Sequence, residues 1–336
     1  MIACLTACDE KQGSITQQPE QDEALLATSI QSGGRAVESL VVDEERPRLG
    51  TRLAPPQVQD PLLDGIEQRH ARQASPGSSP LGFRDMPPLS TERVRVRSYE
   101  CDVYGHLNNA NYVRFMRLAD EAHPPVGDLV RNHVQYLRPV GPGDEVTITV
   151  EQSAADPGYE RRTYVLESGG AVATTGWAEF AAAPQHDRGT PIDPAPPPPP
   201  GTFSITRPVE WRDVAMNGRV GVAALAALAE DAGIRVAAAH GWPMTRSAGE
   251  GFAIVLRTME AEIGAPAGLD DDLRIDTFVS HPRRSMITRH YLVCRVRDGT
   301  RVCRFRSLYV WADLETNRPI RVPERFLADF GPNFAS

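Results

Sequence analysis

The sequence predicts an α+β chain made of two similar units, each with a long helix and a series of antiparallel strands. Three observations support this prediction. A polar turn leads into an amphipathic helix at 98–123, segments of alternating apolar residues follow it, and the same order returns after a proline-rich segment at 184–202.

The stretch at 98–123 is the part of the chain around which the first unit is organised. Before it, Val94 and Val96 alternate with arginines, which indicates a strand with one buried face. Within it, apolar residues at helical spacing form one stripe: Tyr112, Phe115, Met116, Ala119 and Ala122. Pro124 and Pro125 predict that the helix ends at about His123.

Four short strands are expected after this helix. Alternating apolar residues and intervening turns place them at 134–139, 145–151, 161–167 and 172–181. One strand, one helix and these four strands make a unit at 87–183.

The segments outside the two units have a different composition. Residues 1–86 are rich in Gln, Pro, Ser, Gly and charge without apolar periodicity, so we expect no folded domain there. Residues 5–8 (LTAC) resemble a lipoprotein cleavage box, but the four residues before it cannot supply the basic and apolar regions of a signal peptide. The proline run within 184–202 predicts a stiff linker, which leaves 203–336 as the second unit.

The second unit repeats the first without a gap when Asp213 is aligned with Asp102. Asn217 then falls under His106, Arg219 under Asn108 and Asp231 under Asp120. A helix is predicted at 219–240, and strands at 252–260, 273–280, 285–296 and 301–312.

Composition excludes several classes of function. The net charge of −8 gives no sign of nucleic-acid binding, and no apolar run is long enough to span a membrane. The five cysteines show neither metal-ligand nor disulfide spacing, and the phosphate-binding glycine motifs are missing. We therefore expect no metal or cofactor.

The turn before the first helix carries a specific pattern of polar residues. The sequence D-V-Y-G-H-L-N-N-A-N-Y at 102–112 resembles the D-x-x-G-H-x-N-N-x-x-Y motif of hotdog-fold thioesterases, a superfamily that includes the 4-hydroxybenzoyl-CoA thioesterase-like proteins. Six positions agree: Asp102, Gly105, His106, Asn108, Asn109 and Tyr112. The resemblance implies two tandem hotdog units, each a helix wrapped by a curved antiparallel sheet. It also implies an intrachain pseudo-dimer, as in acyl-carrier-protein (acyl-ACP) thioesterases of plants and bacteria.

The resemblance also implies an activity and its residues. Hydrolysis of an acyl-CoA or acyl-ACP thioester would use Asp102 as nucleophile or general base, together with His106 and, where the plant enzymes have Asn, Tyr104. Helix N-terminal amides near Asn109 would stabilise the oxyanion. Five further residues are predicted to bind substrate: Asn108, Tyr112, Asp120, Asp213 and Asn217.

Alternative interpretations remain open. Asp102, Asn108 and Asn109 can instead act as helix caps, because Asp and Asn are favoured at that position. His106 can instead stabilise the turn by hydrogen bonds. Asp213 can be the carboxylate of a second site. Cys101 is a poor nucleophile because neighbouring carboxylates raise the pKa of its thiol. A hotdog hydratase or dehydratase and a non-catalytic acyl-thioester-binding protein are the competing functions. Because the family meets its thioester substrates in the cytoplasm, the resemblance predicts a cytoplasmic protein. Association of two chains into a homodimer stays open.

Overall fold

The computed structural model describes residues 88–182 and 195–335, all of which belong to one compact unit. The predictions for residues 1–86 and for most of the proline run lie outside the described residues.

The first half contains five strands and one helix. In chain order they are β1 (Ser90–Arg95), α1 (Asn109–Ala119), β2 (Asp128–Tyr136), β3 (Glu145–Ser153), β4 (Tyr159–Ser168) and β5 (Ala171–Ala181).

The second half starts with β6 (Phe203–Pro208), the long helix α2 (Val222–Ala239), the short helix α3 (Met244–Gly249) and β7 (Phe252–Ile263). It continues with β8 (Asp272–Ser280), β9 (Met286–Arg295), β10 (Arg301–Asp313) and the short helix α4 (Glu324–Asp329).

The ten strands of the described residues form one antiparallel sheet in the order β1-β3-β4-β5-β2-β7-β10-β9-β8-β6. The five strands of each half have the same relative order, and the halves join where β2 pairs with β7. α1 and α2 pack against each other, and one large apolar core contains residues from both helices and both halves of the sheet.

The buried stripe of α1 is confirmed except at its end. Tyr112, Phe115, Met116 and Ala119 are buried, but the helix stops at Ala119 and Ala122 is exposed. The predicted end near His123 was therefore wrong. The helix ends early because Asp120 is its C-cap, held at this position by buried side chains of β4 that the sequence pattern does not reveal.

Other boundaries differ from those predicted. β2 begins six residues before the predicted strand at 134–139, because its first four residues are exposed or only partly buried and give no alternating pattern. Patterning also missed β6, α3 and α4, which are too short to show a clear period.

Candidate functional site

The turn before α1 is a closed loop held by backbone hydrogen bonds. Cys101 and Leu107 form an isolated antiparallel bridge. The amide of Asp102 donates to the carbonyl of His106 at 2.8 Å, and the amide of Gly105 donates to the carbonyl of Asp102 at 3.0 Å. Gly105 has a φ of +74°, which side-chain-bearing residues rarely adopt, so the turn requires glycine.

The Asp102 carboxylate takes part in this turn. Its Oδ1 accepts the amide of Tyr104 at 2.9 Å and that of His106 at 3.1 Å, and the residue is exposed. The predicted base is therefore also the residue that orders the loop.

The other polar groups of the loop surround this carboxylate. Burial and the charge of Asp102 raise the pKa of the Tyr104 phenol. Burial raises the pKa of the Cys101 thiol, and Asp102, Glu100 and Asp144 raise it further. The protonated thiol that results does not suit a nucleophile, as expected from the sequence.

The imidazole of His106 makes no hydrogen bond to another described residue, so it is available to a ligand.

Asparagines arrange the first turn of α1. The Asn108 side chain caps the helix by accepting the amide of Ala110 at 3.0 Å, and the Asn111 side chain donates to the carbonyl of Glu100 at 2.8 Å. The Tyr136 hydroxyl donates to the carbonyl of Asn109 at 3.2 Å. Among the described residues, no acceptor pairs with the backbone N–H of Asn109, which points out of the helix start. This is the donor that an anionic oxygen would use.

Tyr112 has a structural contact one turn into the helix. The amide of Val140 donates to its hydroxyl at 3.2 Å, and its ring packs edge-on against Tyr136 with centroids 5.5 Å apart. The hydroxyl therefore fixes the chain after β2 against α1.

A carboxyl group from the second half completes this site. Glu230 of α2 lies beside the side chains of Asn109 and Asn108 and the amide of Ala110. The pKa of its carboxyl is raised to about 7, chiefly by burial. The charge of Asp102 also raises this pKa, whereas the side chains of Asn109 and Asn108 and the amide of Ala110 lower it. Both carboxyl oxygens are buried, and neither makes a well-formed hydrogen bond to a described residue. Such a group can both accept and release a proton near neutral pH.

Sequence reasoning missed Glu230, although the sequence contains a signal for it. Glu230 is an acidic residue in a mainly apolar helix, one residue after the buried Ala229. Its neighbour Asp231 forms ion pairs with Arg207 and Arg235, as a surface carboxylate does. Among the described residues, no arginine pairs with Glu230 in this way, which distinguishes it from Asp231.

Asp120 lies at the other end of α1, eleven residues from Asn109 and thus roughly 16 Å along the helix axis. It is buried and accepts hydrogen bonds from Arg162 and the Tyr164 hydroxyl, each at 2.9 Å, and it forms an ion pair with Arg117 at 3.1 Å. These contacts occupy its carboxylate and connect α1 to β4, away from the first turn.

Asp213 and Asn217 belong to a loop that precedes α2. The carboxylate of Asp213 accepts the amide of Glu210 at 2.9 Å, and the Asn217 side chain accepts the amide of Arg219 at 3.0 Å. Both side chains thus stabilise local turns, and neither is brought to the start of α1 by these contacts.

The gapless alignment of the two halves was wrong by two residues. Hydrogen bonds of the first loop recur in the second with Ala215 in the place of Asp102 and Arg219 in that of His106. Asp213 corresponds instead to Glu100, because each is the last residue of a 3-10 turn and accepts the amide three residues earlier. The error arose because the two aspartates dominate the sequence pattern, whereas the backbone turn determines the correspondence.

Metal clusters and membrane-spanning helices are both missing from the part of the chain that the structure describes. No group of three or more His, Cys, Asp or Glu side chains in 88–182 and 195–335 could hold a metal ion. No helix in these ranges has the length and apolar character needed to cross a bilayer.

Sequence comparisons match each half to a different family description. Residues 87–181 match the acyl-ACP thioesterase C-terminal domain, and residues 209–330 match the thioesterase-like superfamily. A comparison with curated proteins found no match.

Solved structures also resemble the chain. A candidate oleoyl thioesterase of Lactobacillus plantarum has a TM-score of 0.51 and 14% identity over 66% of this chain and 95% of that chain. The 12:0-ACP thioesterase of Umbellularia californica has a TM-score of 0.49 and 15% identity over 66% and 94%. A protein of unknown function with a hot dog fold from Alicyclobacillus acidocaldarius has a TM-score of 0.48 and 16% identity over 66% and 92%. The first of these matches shows a shared fold.

Proposed function

We propose that this chain is a hotdog-fold thioesterase that hydrolyses an acyl-CoA or acyl-ACP thioester to a free acid and a thiol. The matches of its two halves to the acyl-ACP thioesterase C-terminal domain and to the thioesterase-like superfamily support this. The observation that carries the proposal is the buried carboxyl group of Glu230 beside the first turn of α1. A thioesterase needs a base near a donor of hydrogen bonds to the carbonyl oxygen, and these two elements supply both.

The arrangement we propose is an intrachain pseudo-dimer of two hotdog units, at 87–183 and 203–336, joined by a linker at 184–202. The equal strand order in the two halves and the pairing of β2 with β7 support it. The match to the Lactobacillus plantarum protein supports it too, since its 66% coverage must include residues of both halves.

In the proposed reaction, a water molecule lies between Glu230 and the thioester carbon. As the water oxygen bonds to that carbon, its proton moves to the Glu230 carboxylate. The N–H of Asn109 donates to the carbonyl oxygen, on which negative charge develops, and the positive end of the helix dipole adds to this stabilisation. The intermediate then collapses, the C–S bond breaks, and the proton moves from Glu230 to the leaving sulfur.

Asp102 is the second candidate for the base, as the motif implies. Its carboxylate is exposed and already accepts two amides of its own loop, so it is engaged in holding the turn. We assign to Asp102 the task of ordering the loop and presenting His106 and Tyr104 to substrate. Asn108 and Tyr112 arrange the helix start, and Asp120, Asp213 and Asn217 have structural roles in this proposal.

The proposal assigns one site to each chain. Arg117 occupies the position in α1 that Glu230 occupies in α2, since each is the ninth residue of its helix. At the start of α2, Gly221 and Val222 stand in the positions of Asn108 and Asn109. The second unit therefore supplies the base to the first unit but has no equivalent site of its own.

Release of free thiol from a panel of acyl-CoA and acyl-ACP thioesters tests the proposal on the full chain. We expect Glu230→Gln to lower kcat by about 10²–10⁴-fold, the usual contribution of a general base. Asp102→Asn should have a smaller effect, because its amide oxygen can still accept both loop amides. Glu121→Gln is the matched control, since Glu121 is exposed beyond the end of α1.

Each outcome separates the competing interpretations. Loss with Asp102→Asn and retention with Glu230→Gln would make Asp102 the base. Absence of turnover on every thioester, with binding retained, would favour a non-catalytic binding protein. Hydration of an enoyl thioester without thiol release would favour the hydratase.

A cytoplasmic location is part of the proposal because the family's thioesters occur there. Gel filtration would test association into a homodimer.

A further inference from the structure

A pair of tyrosine hydroxyl groups lies against α2, the helix that carries Glu230. Tyr291 of β9 and Tyr309 of β10 place their hydroxyl oxygens 3.0 Å apart. Tyr309 packs against both apolar clusters of the described residues and yet keeps some accessible surface. Its side chain is therefore partly accessible rather than enclosed in the core.

Gly233 shows where the tyrosine pair lies along α2, because the Tyr291 hydroxyl contacts the helix there. Gly233 comes three residues after Glu230, which places it roughly 4.5 Å further along the helix axis. A Cβ atom at Gly233 would lie 2.6 Å from the Tyr291 hydroxyl oxygen, and Gly233 does not have the positive φ that would itself require glycine. Glycine is present here because the hydroxyl touches the helix.

The hydrogen bonds of the pair leave one proton unused. Two hydroxyl groups carry two donor hydrogens, and the bond between them uses one. In the described ranges, neither hydroxyl makes another hydrogen bond. An unused donor in the interior is costly, so it marks a place where a ligand atom can accept.

The electrostatics agree with this placement. Burial raises the pKa of both phenols, and the negative charge of Glu230 raises each further. Both hydroxyls therefore stay protonated as donors at neutral pH and lie within electrostatic range of the proposed base.

We propose that the Tyr291–Tyr309 pair selects acyl groups that carry an oxygen substituent about one helical turn from the thioester carbon. The free hydroxyl proton would donate to that hydroxyl or keto oxygen while Glu230 acts at the thioester. This inference rests on the proposed function and specifies its substrate class. A site built to hydrogen-bond a substrate oxygen rejects the analogue that lacks it, because the protein group is then left unpaired.

The test compares two substrate pairs of equal length: 4-hydroxybenzoyl-CoA with benzoyl-CoA, and 5-hydroxyhexanoyl-CoA with hexanoyl-CoA. We expect at least one hydroxylated member to be preferred by tenfold or more in kcat/KM. Because either hydroxyl can hold the free proton, the decisive variant replaces both tyrosines: Tyr291→Phe/Tyr309→Phe should remove most of that preference and leave kcat/KM for the unsubstituted partner within about twofold. Gly233→Ala should weaken the preference by displacing the Tyr291 hydroxyl, whereas Gly249→Ala, with open space around its Cβ position, should not.

The outcomes distinguish this inference from the proposed function. Turnover of all four thioesters without a preference, or with a preference that Tyr291→Phe/Tyr309→Phe leaves unchanged, would overturn the inference and leave the thioesterase intact. If no thioester is hydrolysed, calorimetric binding of 4-hydroxybenzoate and benzoate decides instead. Tighter binding of the hydroxylated acid that is lost in Tyr291→Phe/Tyr309→Phe supports the inference, and equal or undetectable binding of the two acids overturns it.

Discussion

The carboxyl group of Glu230, in the second half of the chain, lies against the side-chain amide of Asn109 at the first turn of the helix in the first half. The helix start supplies hydrogen-bond donors, and the partner helix supplies the carboxylate. In the described residues, neither half contains both parts. If the proposed site is correct, the continuous sheet through β2 and β7 has a functional consequence, because it fixes the distance between the two helices that would form it.

Activity should depend on pH through Glu230. Burial raises the pKa of this carboxyl to about 7, and a general base works only when deprotonated. We expect kcat/KM to rise with pH and to level off above a midpoint near 7 in the free enzyme. Initial rates of thiol release between pH 5 and 9 measure this profile. A profile with no inflection near pH 7 would contradict the assignment of Glu230 as the base.

The same pKa predicts a pH-dependent stability. Because the folded-state pKa of Glu230 lies above its ordinary value of 4.5, the folded protein binds this proton more tightly than the unfolded chain does. Ionisation therefore costs stability progressively as pH rises from about 4.5 to 7, and at higher pH the cost is about 3 kcal/mol. We expect Glu230→Gln to be more stable than the wild type at pH 8 and equally stable near pH 4. Urea unfolding at the two pH values checks this, and an equal difference at both would contradict it.

Asp120 should affect stability rather than chemistry. Replacing it with Asn removes one of the two carboxylates that pair with the buried Arg162, the other being Glu160. An uncompensated buried charge costs about 3–5 kcal/mol, so the retained Glu160 makes this the upper limit of the loss. The site at the other end of α1 keeps its geometry in the folded fraction. We therefore expect Asp120→Asn to lower the urea midpoint while kcat at low temperature stays within about twofold of the wild type. A large fall in kcat of fully folded protein would restore Asp120 to the substrate site.

The elements that the sequence predicted well are those whose burial alternates regularly. β3 and α1 are of this kind, since their buried residues repeat with the strand or helix period. The start of β2 was missed because its first four residues are exposed or only partly buried and show no alternation. The early end of α1 was missed because Arg162 and Tyr164, which hold Asp120, lie about 40 residues further along the chain.

The sequence predicted only part of the proposed site, because the remaining part comes from a distant segment of the chain. The loop and the helix start, from Asp102 to Asn109, form one local motif, and the structure keeps them together. Glu230 comes from a distant segment, and only the packing of the two helices brings it to Asn109. Local spacing carries no information about such a contact, although an acidic residue within an apolar helix is a reason to look for one.

Two equivalent glycines can separate the role of the loop in the site from its role in folding. Gly105 and Gly218 have φ values of +74° and +75°, and at both positions a Cβ atom would meet open space. Alanine therefore strains the backbone without a clash, at a cost of roughly 1–2 kcal/mol in each loop. We expect Gly105→Ala and Gly218→Ala to lower the urea midpoint equally, but only Gly105→Ala to lower kcat/KM, by about tenfold. Only the first loop presents His106 and Asp102 to substrate in the proposed site. Equal losses of activity in the two variants would mean that both loops border an active centre, and the proposal of one site for each chain would fail.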